Sequence, residues 1–358
     1  MRILQIHRDY APTRGGGGVA RHIWGLSREL AAKGATIIVG SAREPESPFT
    51  DDLHSARQMS VMERARQIRA ADVVHIHASR SIYAATTALL CRLLATPYAY
   101  TPHCYYPSQS PLKSFAKDLW DRIVERRIVN GAACVFALNE YWRDWMRETF
   151  GQSFRVMIVP NCVRMADLVA MDERMELTGR PSILSVGRLD PVKRIGDAVK
   201  ALALEGLENA VLHVVGTGSD APAILALADN LGLADRVVLH GFLDDETVGK
   251  MMNSASMFVL ASSTEGLPTV LIEAALRRCP IVVSDIPGNR GIADALGVDA
   301  IFPVGDIEAI ASVIRRVAKS SAHGASNARA AFLYSWEHNA EIIVRAYADA
   351  APAQSPVS

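Results

Sequence analysis

A chain of 358 residues, 49% apolar and 21% charged, is too long for one small core and lacks the bias of disordered, collagen-like or disulfide-stapled proteins. It suits two α/β domains, each burying its own sheet, with a cleft between them. The formal charge is zero but uneven, with 21 basic and 14 acidic residues up to Asn161 against 17 and 24 beyond it, which turns the first half toward an anionic partner or gives it solvated basic helix faces.

Short β-branched runs alternate with helical patterns from the first residues, the signature of parallel βαβ units. The first series predicts strands at Ile3–Ile6, Thr36–Val39, Val73–His77, Tyr98–Thr101, Cys134–Leu138 and Val156–Val159, with a helix from Ala20 to Ala32. Ile82 to Tyr100 is the longest apolar stretch, but Arg92, Thr96 and Pro97 interrupt it, so it reads as a buried helix and the next strand rather than a membrane span. Leu112 to Val129 is amphipathic: Phe115, Leu119, Trp120, Ile123, Val124 and Ile128 share one face, with Lys113, Lys117, Arg122, Arg126 and Arg127 elsewhere. Such a helix either packs its apolar face on the core or lies on an anionic bilayer, and Arg57, Arg64, Arg66 and Arg69 could enlarge the same basic surface.

After a segment rich in Met and charge, the pattern restarts with strands at Ile183–Val186, Val211–Val215, Val237–Leu239, Met257–Leu260 and Ile281–Val283, and a short one near Ala300–Phe302. This places a Rossmann-like domain at 1–162, a linker at 163–180 and a second Rossmann-like domain at 181–335. The final helix, 336–350, is expected to pack back onto the first domain, with a frayed tail beyond. Five scattered cysteines (Cys91, Cys104, Cys134, Cys162, Cys279) form no CxxC pair, so reduced thiols in a cytoplasm are expected, not a disulfide framework or zinc site. Ile3–Ile6 is too short for a secretory signal. Zero net charge and the absence of an aromatic-laced basic stripe argue against nucleic acid.

In an open parallel sheet, ligands sit beyond the carboxyl ends of the strands, so residues just after each strand are inspected first. Gly15-Gly16-Gly17-Gly18 precedes a helix and lets backbone amides approach an anion, or is a flexible loop. His103 ends a strand, where an imidazole can donate a hydrogen bond or simply support the core. Gly187-Arg188-Leu189 with Lys193 downstream offers a guanidinium and an ammonium to a diphosphate, whose neutralisation is the main need when it leaves without a metal. Glu265 and Glu273 flank a Gly266-Leu267-Pro268 loop; Pro268 suits a first helical turn and leaves the amides of Thr269 and Val270 for oxygen ligands, while carboxylates suit ribose and sugar hydroxyls.

Together with Gly216-Thr217-Gly218 and His240-Gly241-Phe242, these motifs resemble the retaining glycosyltransferases of family 4, proteins of the GT-B fold with two Rossmann-like domains facing across a cleft. The likeness runs from Gly15 to Glu273, nearly the whole chain. It implies that Arg188 and Lys193 hold the donor diphosphate, that Glu273 takes the ribose and that Glu265 faces the sugar. Gly266, Leu267, Pro268, Thr269 and Val270 would line the sugar and phosphates, His103 would meet the reacting carbon, and Gly16 and Gly17 would lie beside diphosphate and acceptor. Gly187, Gly218, Gly241 and Phe242 complete the implied donor surface. No Asp-x-Asp signature is present, so neither metal nor cofactor is expected, the nucleotide sugar being substrate. Cys162 stands where glycine is common, Cys104 where an acid is frequent, and Leu267-Pro268-Thr269 where Phe-Gly-Leu is usual.

The implied activity is retaining transfer of a hexosyl unit from a UDP- or GDP-linked donor to a saccharide or lipid-linked saccharide, in polysaccharide or glycolipid synthesis. The protein would be cytoplasmic or peripheral at the inner membrane face. Competing readings are a GT-B-fold nucleotide-sugar epimerase and a non-catalytic sugar-nucleotide-binding subunit. An NAD oxidoreductase is disfavoured, because Gly216-x-Gly218 continues Ser219, Asp220, Ala221 without the full fingerprint.

Overall fold

The computed structural model describes residues 1–11, 17–45, 50–51, 54–105, 110–168, 171–320 and 327–351. The chain divides into two units, Met1–Cys162 with Trp336–Ser358, and Val163–Ser335.

The first unit is built on eight strands: β1 (Arg2–Ile6), β2 (Thr36–Ser41), β3 (Thr50–Asp51), β4 (His54–Gln58), β5 (Val73–His77), β6 (Tyr98–Thr101), β7 (Cys134–Ala137) and β8 (Val156–Ile158). They run in the order β3-β4-β2-β1-β5-β6-β7-β8. Only β3 runs antiparallel to its neighbour, so the central strands are covered on both faces and read as near-continuous apolar runs. The β3–β4 pair was not foreseen: His-Ser-Ala-Arg-Gln carries no β-branched residue, and β4 is held by its parallel ladder to β2 rather than by propensity.

The helix Gly17–Ala32 packs on β2 and on the last helix, Trp336–Ala350, through Ile23, Leu26, Leu30, Ala340, Ile343 and the wholly buried Trp336. At Gly25 the two helices meet so closely that a Cβ would lie 2.4 Å from Trp336 Nε1.

The second unit has six parallel strands, β9 (Ser182–Val186), β10 (Val211–Val215), β11 (Val237–Gly241), β12 (Met257–Leu260), β13 (Ile281–Ser284) and β14 (Ile301–Phe302), in the order β11-β10-β9-β12-β13-β14. Residues 163–180, read as a linker, include segments that pack onto this unit. Met175 N donates to Ser254 Oγ at 2.9 Å, Asn253 Nδ2 donates to the Glu173 carbonyl at 2.6 Å, and the Thr178 carbonyl meets His213 Nε2 at 3.0 Å. All five cysteines are buried and none forms a disulfide. No helix among the described residues is long and apolar enough to cross a membrane.

The amphipathic segment corrects the reading that its apolar residues share one face. The helix Pro111–Trp120 passes through a π turn, Asp121–Glu125, into Arg126–Gly131. Phe115, Leu119 and Ile123 are 66%, 47% and 48% exposed, Ile128 is buried, and the inward residues at the π turn are Asp121 and Glu125. The carboxylates prevail because each is satisfied. Arg80 grips Asp121 with two bonds of 2.9 and 2.7 Å, while Glu125 accepts from the Tyr100 hydroxyl, from Tyr105 and Trp120 Nε1 at 3.0 Å each, and from the Arg80 amide at 3.1 Å. A π turn adds a residue per turn and rotates the helix beyond it, which a 3.6-residue period cannot anticipate. Arg57, Arg66 and Arg69 are exposed as expected, but Arg64 is buried, stacked 4.2 Å over Tyr83 and donating to Thr86 Oγ1 at 3.0 Å.

Candidate active site

In each sheet the strand order reverses at one central strand, β1 between β2 and β5 in the first unit and β9 between β10 and β12 in the second. Such switch points open a crevice at the carboxyl ends of the strands. In the second unit the crevice begins early: β9 and β12 are paired only at Ile183–Met257 and Leu184–Phe258, short of both strand ends.

Several of the second unit's candidates lie around this opening. The chain leaves β9 through Gly187 and turns through Pro191–Lys193, and it leaves β12 through Ser262 and Ser263, whose amide binds the Val192 carbonyl at 2.9 Å. That bond ties the two loops together and brings Lys193 Nζ within 2.6 Å of Glu265 Oε1, which Ser262 Oγ also reaches at 2.7 Å. The two side chains are 19% and 9% exposed, so a partly desolvated ammonium–carboxylate pair sits at the switch point. Arg188 goes elsewhere: its side chain is 70% exposed and pairs with Asp190 at 3.0 Å.

The glycines have steric reasons. Gly216 has φ +132°, and a Cβ there would sit 1.9 Å from the Gly187 carbonyl oxygen; at Gly218 it would sit 2.3 Å from that of Leu189. Gly216 N also donates to the Gly241 carbonyl at 2.7 Å, so the loops after β9, β10 and β11 form one close-packed layer. Gly218 is exposed, and the close approach of the Leu189 backbone leaves no room for a side chain on it. Gly241 has φ +69°, and the following Phe242 is 64% exposed.

The helix Thr269–Leu276 starts one residue later than expected, with Pro268 as its N-cap and no side chain capping it. Its first amides therefore face the loop of Gly266 and Leu267, and Glu273 lies further along the helix, half-buried. Gly288 backs this loop, since a Cβ on it would be 2.7 Å from the carbonyl oxygens of both Glu265 and Gly266. Ser284 Oγ, donating to the Ser262 carbonyl at 2.6 Å, and Asn289, donating to Ser284 Oγ at 3.0 Å, complete the support. Sequence reasoning missed these three residues, which carry no motif.

In the first unit, Gly15 and Gly16 lie outside the described residues, and Gly17, with φ +71°, opens the helix Gly17–Ala32. His103, only 8% exposed, follows β6 in a left-handed conformation, φ +58°. Its support is not the neighbouring Cys104 but other histidines. His103 Nε2 lies 3.2 Å from His77 Nδ1; His77 Nε2 meets Gln5 Oε1 at 2.9 Å; and Gln5 Nε2 donates to Ser27 Oγ at 2.9 Å. His22 closes the group, its ring 4.7 Å from that of His103 and perpendicular to it, with Asn161 beside both. His75 is held between Tyr347 Oη at 2.6 Å and Thr101 Oγ1 at 2.7 Å. A signal existed in the alternation His75-Ile76-His77, but the partners come from β1, β6 and two helices.

Burial holds these imidazoles neutral. It lowers His22 from 6.5 to about 3 and, with repulsion from neighbouring rings, lowers His75, His77 and His103 well below 6.5. The unfolded chain therefore binds protons that the native unit refuses, and stability falls as pH drops below about 6.5 toward the lowered native values. Moving from pH 7.5 to 5.5 is expected to cost about 1 kcal/mol per imidazole, measured by urea unfolding at both pH values. Equal stabilities would contradict neutral burial.

The profile of the glycosyl transferases group 1 matches residues 167–332, and that of glycosyltransferase family 4 matches residues 16–167. The chain belongs to the group 1 glycosyl transferases. Among curated members it is 28% identical to the 2-deoxystreptamine N-acetyl-D-glucosaminyltransferase of Streptomyces fradiae over 67% of this chain and 61% of that protein. The chain thus spans about three fifths of that relative's length. It is 25% identical to the phosphatidyl-myo-inositol mannosyltransferase of Mycobacterium leprae over 95% of both chains. Among solved structures, sucrose-phosphate synthase from Thermosynechococcus elongatus superposes with a TM-score of 0.78 over 98% of both chains at 18% identity, which establishes the GT-B type of fold.

Proposed function

We propose that this protein moves a sugar from a UDP- or GDP-linked donor to a saccharide or lipid-linked saccharide acceptor, with retention of configuration and without a metal ion. The observation that carries the donor side is the Lys193–Glu265 pair at the β9/β12 switch point, beside the uncapped start of the helix Thr269–Leu276. A departing nucleoside diphosphate must be neutralised, and Lys193, joined by an Arg188 drawn away from Asp190, supplies that charge. Glu265, held by the ammonium and by Ser262, presents its carboxylate to sugar hydroxyls, while Glu273 takes the ribose. Gly187, Gly218, Gly241, Phe242, Gly266, Leu267, Pro268, Thr269 and Val270 line the donor. In the first unit, the neutral imidazole of His103 meets the sugar near its reacting carbon, and Gly17 serves the diphosphate and acceptor.

The acceptor reading rests on two supports. The two relatives are named for transfer to 2-deoxystreptamine and to a phosphatidyl-myo-inositol, polyhydroxylated rings with and without a lipid. The helix Pro111–Trp120 and its continuation also present exposed Leu112, Phe115, Leu119 and Ile123 among Lys113, Arg122, Arg126 and Arg127. That combination favours peripheral contact with an anionic bilayer at the cytoplasmic face, and with it a role in polysaccharide or glycolipid synthesis.

The deciding experiment is a thermal-shift screen against UDP, GDP, ADP and their sugar conjugates with EDTA present. One uracil or guanine family is expected to raise Tm by mass action and then to support transfer. Epimerisation of the donor without an acceptor would instead favour the epimerase, and a shift without turnover the binding subunit. In a second arm, the protein should sediment with phosphatidylglycerol vesicles and not with phosphatidylcholine ones; no difference removes the membrane.

A further inference from the structure

Three of the buried histidines form a constellation of which the transfer reading uses His103 alone. His22, His77 and His103 come from a helix, the end of β5 and the loop after β6, and one nitrogen of each lies within 4.8 Å of those of the others. The 3.2 Å between His77 Nδ1 and His103 Nε2 is also close to the roughly 3.3 Å separating two nitrogens on one tetrahedral zinc at 2.0–2.1 Å. The same placement therefore serves a shared proton or a shared cation with little movement.

The surrounding bonds orient the set for the second use. The Gln5 amide nitrogen is committed to Ser27 Oγ, so Oε1 accepts and His77 must carry its proton on Nε2. The Nδ1 lone pair then faces His22 and His103, an outer-shell arrangement found around metal-ligating histidines. His22 is 1% exposed, and among the described residues neither of its ring nitrogens makes a hydrogen bond of normal geometry, the Asn161 side chain being the polar group beside it. A buried imidazole left so costs about 1–3 kcal/mol, which a ligand at one nitrogen would offset. Three neutral nitrogens with no carboxylate among them suit a late first-row divalent cation, not Mg²⁺ or Ca²⁺, which demand oxygen.

We propose that His22, His77 and His103 form a three-imidazole site for a divalent transition-metal ion of the zinc class, and that the ion, once bound, withdraws His103 from the sugar. The second clause rests on the role given to His103 above; the site itself does not. The ion would be a brake on a transferase that needs no metal for the chemical step.

The test uses the full chain, free of any affinity tag and stripped of metal, titrated with Zn²⁺ against a chromophoric chelator. One bound equivalent is expected, with Mg²⁺ failing to compete. His22→Asn, which removes a ligand, and Gln5→Leu, which releases the His77 tautomer, should each weaken binding about tenfold or more. Both variants are checked for folding by circular dichroism. Absent stoichiometric binding, or equal affinity in folded variants, overturns the site. Cobalt spectra of the unmutated protein need no variant: intense tetrahedral d–d absorption is expected, and weak octahedral bands overturn it. Because none of these readouts is turnover, their failure leaves the transferase reading untouched. Zinc loading should also abolish transfer, and undiminished turnover of the loaded protein overturns the brake.

Discussion

Replacing Lys193 by Ala is expected to lower kcat/KM about 30-fold or more, the equivalent of about 2 kcal/mol of transition-state stabilisation. The ammonium is 2.6 Å from Glu265 Oε1 and mostly shielded from water, so its charge acts at lower effective dielectric than a surface lysine's. Its removal acts twice, because the diphosphate loses a counter-charge and Glu265 keeps only Ser262, among the described residues, as a partner of that oxygen. Arg188→Ala should cost less, since that side chain is 70% exposed and already spends its charge on Asp190. Steady-state kinetics on the identified donor decide the point. Unchanged turnover in Lys193→Ala would remove the residue from the reaction, and a larger loss in Arg188→Ala would reverse the order of the two.

Gly216→Ala is expected to cost the second unit about 3 kcal/mol, with Tm lower by about 6–12 °C for a unit of this size. A Cβ at this position would stand 1.9 Å from the Gly187 carbonyl oxygen and 2.9 Å from its carbon, both backbone atoms that no rotamer change can move, and the φ of +132° suits only glycine. Relief requires the β9 loop to shift, and that loop carries Lys193, so donor affinity should fall together with stability. Gly232→Ala is the control. Its φ of +68° is also left-handed, but nothing lies within 4 Å of the added carbon, so only about 1 kcal/mol of backbone strain is expected. Equal melting temperatures for the two variants would falsify the steric account.

Most strands and both sheets were legible in the residues. Val73–His77, Tyr98–Thr101, Val211–Val215 and Met257–Leu260 run within the limits their β-branched and apolar patterns mark, because a strand buried on both faces is mostly apolar, its few polar side chains paired within the core, and stops at its turn residues. The same rule placed the candidates after strand ends. What failed were features without local cause. β4 exists because β2 offers it a ladder, and the inward turn of Asp121 and Glu125 exists because Arg80, Tyr100 and Tyr105 wait there to satisfy them.

The sequence by itself determined the βαβ periodicity, the restart of the pattern in a second unit and the residue types at each strand end, since all of these follow from spacing along the chain. Only the tertiary structure decided which of those residues meet. Lys193 faces Glu265 across 72 positions, and His77 faces His103 across 26, through strand order and register that no local pattern encodes. Once a sheet's order is set, carboxyl ends remote in sequence converge within hydrogen-bond distance, and it is that convergence, not any one motif, that makes a charge pair or a cluster of neutral imidazoles.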